Sequence, residues 1–240
     1  CQQKNIGVLP PDINKSSSGF AVEEVASADG ATELAVRYAL SAIKNVGAEA
    51  MSRLTEIRKA DGAFTSLKNL LQRLPREVVN RRQMENLVRA GALDKIHGNR
   101  RELIENIDLI LLHADAMRRE AESNQVSLFG GDSDVIDDSI RLRETNDWAD
   151  MDRLKEEFDA LGLYLSAHPL DSYASQLGRL RVTSRAVLND LVAAGQVPQR
   201  VNLAGLVTAK QMRVSQRGNR FAFIQFTDQT GVFEVTFFSD

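Results

Sequence analysis

Cysteine is almost absent from this chain of 240 residues, which contains one, at position 1. A single cysteine excludes an internal disulfide and a cysteine-based zinc site, and it favours a reducing compartment. No apolar run reaches the roughly 18 residues that a membrane-spanning helix needs, and no signal-peptide pattern opens the chain. The sequence therefore predicts a cytoplasmic protein without a membrane partner.

Residue types that carry catalysis or bind metals are scattered rather than grouped. The three histidines, His97, His113 and His168, stand far apart, with no cysteine or carboxylate at ligand spacing. The sequence also has no glycine-rich phosphate loop and no nucleophile elbow. We therefore predict no catalytic residue, no metal site and no cofactor within these residues, and a protein segment that binds rather than transforms.

Charge is distributed unevenly along the chain, although the formal net charge is only −3. Residues 37–101 hold 14 Lys or Arg against 6 Asp or Glu, a net of +8. Residues 102–172 hold 6 against 18, a net of −12, and residues 173–240 hold 8 against 4, a net of +4. A basic block, an acidic block and a basic tail indicate different partners for different parts of the chain.

Apolar spacing predicts an α+β protein with several domains. Short strands are expected at 6–9, 20–22 and 34–38, before a helical region. The last two are expected to pair as a small antiparallel hairpin, with Asp29-Gly30 as the turn signal between them. We expect a mobile loop at 16–19, and the predicted helices lie at 48–60, 66–73, 80–90 and, as one long helix, 99–122.

The remainder of the chain contains one more amphipathic helix and then strands. Apolar residues at 151, 154, 158, 161 and 165 predict a helix that packs into a core and ends at His168-Pro169. The last 43 residues predict three antiparallel strands of a truncated small barrel. Because the chain begins at Cys1 and ends at Asp240 among these strands, we expect an internal piece of a longer protein.

Two glycine-containing turns between helical patterns are candidate DNA-binding hairpins. The first, "AIKNVGAEAM" (42–51), leads directly into a helix, and such a turn can direct free backbone N–H groups at a DNA phosphate. Asn45 stands where a helix-hairpin-helix motif usually carries another glycine, and asparagine tolerates positive φ. The second candidate is "LVRAGALDKI" (87–96).

Each turn also has a simpler interpretation, as an ordinary helix cap beside a solvated basic face. Two such turns within one segment of net charge +8 favour DNA binding. The predicted duplex-binding residues are Lys44, Asn45, Val46, Gly47, Arg53, Arg81, Arg82, Arg89, Gly91, Lys95 and Arg100.

Basic and aromatic residues also meet near the end of the chain. The cations Lys210, Arg213, Arg217 and Arg220 lie beside Phe221 and Phe223. Cations next to exposed rings suit single-stranded nucleic acid, whose bases stack while its phosphates meet the charges. The alternative is that both rings, which alternate with Ala222, face the core of the barrel.

The stretch "NQVSLFGGDSD" (124–134) places two large apolar residues, Leu128 and Phe129, in a polar segment that cannot bury them by itself. Gly130-Gly131 disfavours a helix there. We expect a flexible tether that carries an apolar anchor for a partner.

The order of these parts resembles the C-terminal middle of the bacterial replicative DNA polymerase III alpha subunits, which are C-family polymerases. The resemblance covers essentially all 240 residues. Its carriers are "VLPPDIN" (8–14), "YALSAIKNVGAEA" (38–50), "NRRQMENLVRAGALD" (80–94), "QVSLFGG" (125–131), "LGLYLSAHPLDSY" (161–173) and "VNLAGLVTAKQMRVSQRGNRFAFIQFTDQTGVFEV" (201–235).

The resemblance implies a division of the chain and a set of partners. Residues 1–38 would end the fingers domain, 39–122 would form tandem helix-hairpin-helix units, 123–138 a linker, 139–197 a helical connector and 198–240 a truncated OB-fold. In the linker, Gln125, Val126, Ser127, Leu128 and Phe129 match the motif that docks on the sliding clamp, the beta subunit. The implied partners are primer-template duplex, single-stranded template, the clamp and other polymerase III holoenzyme subunits.

The resemblance also implies a DNA-directed DNA polymerase as the parent protein, with catalytic aspartates and Mg²⁺ in a palm domain upstream of Cys1. Two alternatives remain at this point. One is the error-prone paralogue of the same polymerase family, which generally lacks a clamp motif. The other is a non-catalytic helix-hairpin-helix and OB-fold protein of DNA architecture, in which the OB-fold would come first.

Overall fold

The structure is a computed structural model that describes residues 7–26, 32–78, 80–124, 140–216 and 218–238. The chain divides into two compact units, one formed by Val8–Ser166 and the other containing Ala167–Asp240. The boundary between them falls inside 139–197, the segment predicted as a connector. Helices dominate the first unit and each unit contains a small sheet, which confirms the predicted α+β class.

A three-stranded sheet begins the first unit. Its strands are β1 (Gly7–Leu9), β2 (Ala21–Ala26) and β3 (Thr32–Arg37), in the order β1-β3-β2. The antiparallel pairing of β2 with β3 confirms the hairpin that the alternating pattern predicted, with Val22 opposite Val36.

The serine-rich loop after β1 is bonded into the unit, contrary to the mobile loop expected from its composition. Ser16 has no exposed surface. The carbonyl oxygens of Ser17 and Ser18 accept hydrogen bonds from the N–H groups of Leu40 and Ser41, at 3.0 and 3.2 Å. These bonds join residues more than twenty positions apart, so the composition of the loop could not predict them.

Helices follow this sheet in the first unit. They are a 3₁₀ turn (Leu40–Ala42), α1 (Ala48–Asp61), α2 (Leu67–Arg73), α3 (Arg81–Arg89), α4 (Arg100–Glu105), α5 (Ile107–Asn124) and α6 (Asp150–Leu161). Side chains of Ser66, Asn80 and Asn99 cap α2, α3 and α4 by accepting backbone N–H groups of the first turn. The helices meet in one core whose largest fully buried members include Leu54, Leu70, Leu87, Leu93 and Leu103.

The single helix predicted over 99–122 is wrong, because it is divided into α4 and α5 at Asn106. The Asn106 amide donates to the carbonyl oxygens of Glu102 (2.8 Å) and Arg143 (3.0 Å). Its Oδ1 accepts the N–H of Arg143 at 2.8 Å. An asparagine that bonds backbone in this way competes with the helical ladder. The apolar period continues across the break, so periodicity could not reveal it.

Helix α6 also ends earlier than predicted, at Leu161 rather than at His168-Pro169. Gly162 adopts φ +79° and its N–H donates to Phe158 O at 2.7 Å, which is a left-handed helix cap. The predicted buried stripe is correct for Leu154 and Leu161. Met151, in contrast, is 47% exposed.

The second unit begins with a 3₁₀ helix (Pro169–Tyr173) and two short helices, α7 (Ala174–Arg179) and α8 (Arg185–Ala193). Three antiparallel strands follow, β4 (Leu206–Val214), β5 (Arg220–Asp228) and β6 (Gly231–Phe238), in sequential order. This confirms the three predicted strands. Across the residues that the structure describes, the sheet is open, and β4 and β6 each have β5 as their one strand neighbour.

Candidate nucleic-acid interface

The first predicted hairpin is a tight turn between the 3₁₀ turn and α1. Ile43 and Val46 anchor it, since they are 2% and 7% exposed. Between them Asn45 adopts φ +63°. This positive φ agrees with the prediction that Asn45 takes the place of a glycine in the motif. Gly47 then precedes α1 in extended conformation, with φ −76° and ψ 135°. The buried anchors fix the turn, and the positive φ reverses the chain.

The turn leaves the start of α1 open. Gly47 has no side chain to cap the helix, and among the described residues no side-chain hydrogen bond caps it. Gly47, Ala48 and Glu49 are all exposed. The first N–H groups of a helix have no partner within the helix and carry the positive end of its dipole. This end of α1 therefore has the geometry that accepts an anion such as a phosphate oxygen.

Lys44 lies beside this turn and is already engaged. Its Nζ donates to the carbonyl oxygen of Asp159 at 2.8 Å, and its backbone N–H donates to Ala160 O at 3.0 Å. The Tyr38 hydroxyl donates to Leu161 O at 3.3 Å. Lys44 and Tyr38 thus satisfy three successive carbonyl groups at the end of α6, where a cation is favoured by the helix dipole.

Charge around the start of α1 is mixed. Arg53 lies on the exposed side of α1 and pairs with Glu56 at 3.2 Å, but both side chains are more than 60% exposed. Such a pair contributes little and can exchange for another anion. Glu49, in the first turn, is also exposed and opposes a phosphate. Arg53 is therefore the cation of the first hairpin that is most available to a ligand.

The second predicted hairpin does not offer an open turn. Gly91 adopts φ +79° but is buried. The guanidinium of Arg100 covers it, so that a Cβ placed on Gly91 would lie 2.7 Å from Arg100 Cζ. The group that approaches this glycine is therefore a side chain of the same chain.

Arg100, predicted to bind DNA, is buried at 4% exposure in a charged network. It donates to both carboxylate oxygens of Asp94, at 2.8 and 2.7 Å, and to Arg89 O at 3.0 Å. Glu157 lies 3.5 Å away. Burial lowers the pKa of Arg100, but the hydrogen bonds and charge of Asp94 and then of Glu157 raise the pKa by more, so the net shift is upward. Its place is structural, since it joins α4 to α6.

The remaining predicted duplex-binding residues lie on or after α3. Arg81 is half exposed and pairs with Glu85 and Asp108. Arg89 pairs with Glu156 at 3.0 Å. Arg82 and Lys95 are exposed. Of the predicted set, the structure brings Lys44 to Gly47 together at one turn and places Arg53 on the helix that follows. It buries Gly91 and Arg100 and leaves the remaining cations on or after α3.

The sequence prediction missed residues that hold the first hairpin, namely Ser18, Tyr38 and Arg58. Arg58 Nη1 donates to the carbonyl oxygens of Ile13 (2.6 Å) and Ser16 (2.7 Å). Burial lowers the pKa of Arg58, and the charge of Asp12 opposes this shift. The motif "VLPPDIN", which ends four residues before Ser18, was the available signal that this loop has a fixed conformation.

The predicted cations of the second unit lie on the open sheet. Lys210, Arg213 and Arg220 are exposed, and Arg217 lies outside the described residues. Arg213 Cζ stands 5.9 Å from the ring centre of Phe223. Phe221 and Phe223 share a face, with ring centres 5.4 Å apart, and both are half-buried. Ala222, on the other face of β5, is buried at 8% exposure and is therefore less exposed than either ring.

Several other predictions concern parts that the structure does not test. The predicted clamp-binding residues 125–129 lie outside the described residues. Within the described ranges, no group of three or more His, Cys, Asp or Glu could hold a metal ion. In the same ranges no helix is long and apolar enough to cross a membrane.

Comparison with known proteins agrees with a helix-hairpin-helix region in the first part of the chain. A family model described as a helix-hairpin-helix motif matches residues 5–103. The DNA polymerase III subunit alpha of Caulobacter vibrioides is 37% identical over 232 residues, which are 97% of this chain and 19% of the relative. Those of Neisseria meningitidis and Rickettsia prowazekii are each 36% identical over 236 residues, 98% of this chain and 19% of each relative. The chain thus belongs to the family of bacterial DNA polymerase III alpha subunits and spans about a fifth of the length of the curated relatives it matches.

Proposed function

We propose that this chain binds duplex DNA through its phosphates, without sequence preference, as the primer-template-binding segment of a replicative DNA-directed DNA polymerase. The observation that carries the proposal is the uncapped, exposed start of α1 behind the turn at Asn45 and Gly47. Backbone N–H groups read no base, so contacts of this kind position a duplex and do not select its sequence.

The surrounding charge supports the same function. Residues 37–101 carry a net of +8, and Arg53 is held by a single exposed ion pair. The match to a helix-hairpin-helix model and the polymerase names of the relatives support it independently. This chain would hold the duplex for nucleotidyl transfer within the replication machinery of the cytoplasm.

The salt dependence of duplex binding tests this proposal. Fluorescence anisotropy with three duplexes of unrelated sequence should give equal dissociation constants that rise steeply with salt, because each neutralised phosphate releases counterions. Arg53→Gln should weaken binding to all three duplexes alike and reduce the slope of log K against log salt by about 1. Lys155→Gln removes an exposed cation from α6 and serves as the matched control. Loss on one duplex only, or an unchanged slope in Arg53→Gln, would contradict phosphate binding by this hairpin.

We also propose that residues 125–129 tether the polymerase to the sliding clamp. Leu128 and Phe129 form an apolar anchor within a polar stretch, and Gln125 can donate and accept at the rim of a pocket. Replacing both Leu128 and Phe129 by alanine should abolish calorimetric binding to the clamp and leave duplex affinity unchanged. Equal clamp affinities would place the contact elsewhere.

For the second unit we propose contact with single-stranded template through an OB-fold to which these three strands belong. Its support is the exposed cation set beside the half-buried rings of Phe221 and Phe223. Arg213→Ala should weaken binding of oligothymidylate and leave duplex binding unchanged. No change in either measurement would favour the interpretation that these rings only stabilise the sheet.

A further inference from the structure

The loop Asp12–Ser18, here termed the serine brace, is closed by its own hydrogen bonds. The Asp12 N–H donates to Ser16 Oγ at 3.0 Å, and the Ser16 N–H donates back to Asp12 O at 2.8 Å. The Asn14 N–H donates to Asp12 Oδ1 at 2.7 Å. Asp12 and Ser16 are both buried. The brace is therefore a preformed turn rather than a passive connection.

The serine brace is bonded to the first arm of the hairpin, the 3₁₀ turn. Leu40 N–H donates to Ser17 O at 3.0 Å, and Ser41 N–H donates to Ser18 O at 3.2 Å. The Ser41 hydroxyl donates to the same Ser18 carbonyl at 2.7 Å. Three hydrogen bonds within two residues fix the position of this arm.

The brace is also bonded to the second arm, α1, at two levels. The Ser18 hydroxyl donates to Ala48 O, in the first turn of α1, at 3.1 Å. Arg58, ten residues further along the same helix, holds the carbonyl oxygens of Ile13 and Ser16. At 1.5 Å of rise per residue these two attachments are about 15 Å apart, so they fix the direction of the helix axis as well as its start.

We propose that the serine brace positions the hairpin for phosphate binding, by setting the angle between the 3₁₀ turn and α1, without itself touching DNA. This rests on the proposed function. Because no side chain caps α1, the direction of its first N–H groups depends on how its axis is held. Ser18 is the residue through which the brace contacts both arms, by its carbonyl oxygen on one side and its hydroxyl on the other.

Removal of single hydroxyl groups in the 240-residue chain tests the proposal. Ser18→Ala and Ser41→Ala should each weaken duplex binding by about fivefold, the effect of one neutral hydrogen bond. Ser18→Thr, which keeps the hydroxyl, should restore most of the affinity. Because the two serines act through one brace, the double variant should show a smaller fold-loss of duplex affinity than the product of the two single fold-losses. Ser52→Ala, on the exposed side of α1, is the control and should bind as wild type.

Hydrogen exchange in the absence of DNA separates positioning from contact. Positioning requires faster exchange of the Leu40 and Ser41 amides in Ser18→Ala, whereas loss of a direct DNA contact would leave both amides unchanged. Unchanged exchange of both amides in Ser18→Ala would overturn the proposal. Wild-type duplex affinity in Ser18→Ala would also overturn it, and if Arg53→Gln still weakens binding the proposed function stands. If wild type itself shows no salt-dependent duplex binding, both proposals fail together.

Discussion

Gly91 lies directly against the guanidinium of Arg100, with φ +79° and with room for no further atom: a Cβ would stand 2.7 Å from Arg100 Cζ. Gly91→Ala must therefore strain the backbone and displace a buried ion pair. We expect a loss of about 2–4 kcal/mol in the free energy of unfolding. Urea denaturation measures it.

Gly195→Ala is the matched control for this prediction. Gly195 follows α8 with almost the same φ, +75°, and its N–H donates to Val192 O as that of Gly91 donates to Val88 O, but no atom lies within 4 Å of its Cβ position. Its substitution should cost about 1 kcal/mol, from the backbone alone. Equal losses at the two positions would show that the contact with Arg100 contributes nothing.

The buried carboxylate of Glu157 joins α6 to the segment that follows it. Its Oε1 accepts the N–H groups of Leu165 and Ser166, both at 2.9 Å, and it is 2% exposed beside Arg100. Glu157→Gln places an amide N–H₂ toward a guanidinium and removes the compensating charge. We expect thermal and urea denaturation to report a loss of about 2–4 kcal/mol.

Glu56→Gln provides the comparison, because Glu56 belongs to an exposed ion pair. Its cost should stay within about 0.5 kcal/mol. A Glu157→Gln variant as stable as Glu56→Gln would argue against a structural role for the buried network.

His168 gives the second unit a predicted dependence on pH. Its Nδ1 accepts the Leu170 N–H at 3.2 Å, which requires the unprotonated nitrogen. Burial lowers the pKa of His168 below its ordinary 6.5, and the charges of Asp171 and Asp228 oppose that shift without cancelling it. The folded state therefore favours the neutral ring. Its contribution is complete above pH 6.5 and is lost as pH falls below that value.

The measurement is the stability of wild type and His168→Asn between pH 8 and pH 5. Asparagine can accept the same N–H but does not titrate, so its variant should lack the decline below pH 6.5. Asp171, whose pKa is lowered by the backbone hydrogen bond from His168, loses its contribution only near its ordinary 3.8 and below. Parallel curves for the two proteins would contradict the assignment to His168.

Local sequence signals predicted the elements whose causes are local. Alternation identified β2 and β3, and the apolar period identified α1, α2 and α3. The positive φ of Asn45 followed from its place before Gly47 in a hairpin pattern. Each of these features depends on residues within a few positions of one another.

The parts that the sequence could not predict depend on long-range contacts. Asn106 breaks a periodic helix because it meets Arg143, and Ser18 is ordered because it meets Ser41 and Ala48. Arg100 belongs to a basic segment and was predicted to face DNA, yet its partners Asp94 and Glu157 bury it. A count of charges along the chain cannot distinguish a cation on the surface from one that is paired in the core.

Lys44 tests that distinction at the hairpin itself. It is exposed, but its Nζ already donates to Asp159 O and its backbone N–H to Ala160 O. If this is its main role, Lys44→Met should cost about 1 kcal/mol of stability, through the lost hydrogen bond to Asp159 O at the end of α6, and leave the salt slope of duplex binding unchanged. Lys155→Met removes an exposed cation from α6 itself and should change neither the stability nor the salt slope. Anisotropy titrations at several salt concentrations, run beside urea denaturation, decide the matter. A slope lowered by about 1 would show that the free donors of Lys44 also meet a phosphate, because each ionic contact contributes about that amount to the slope.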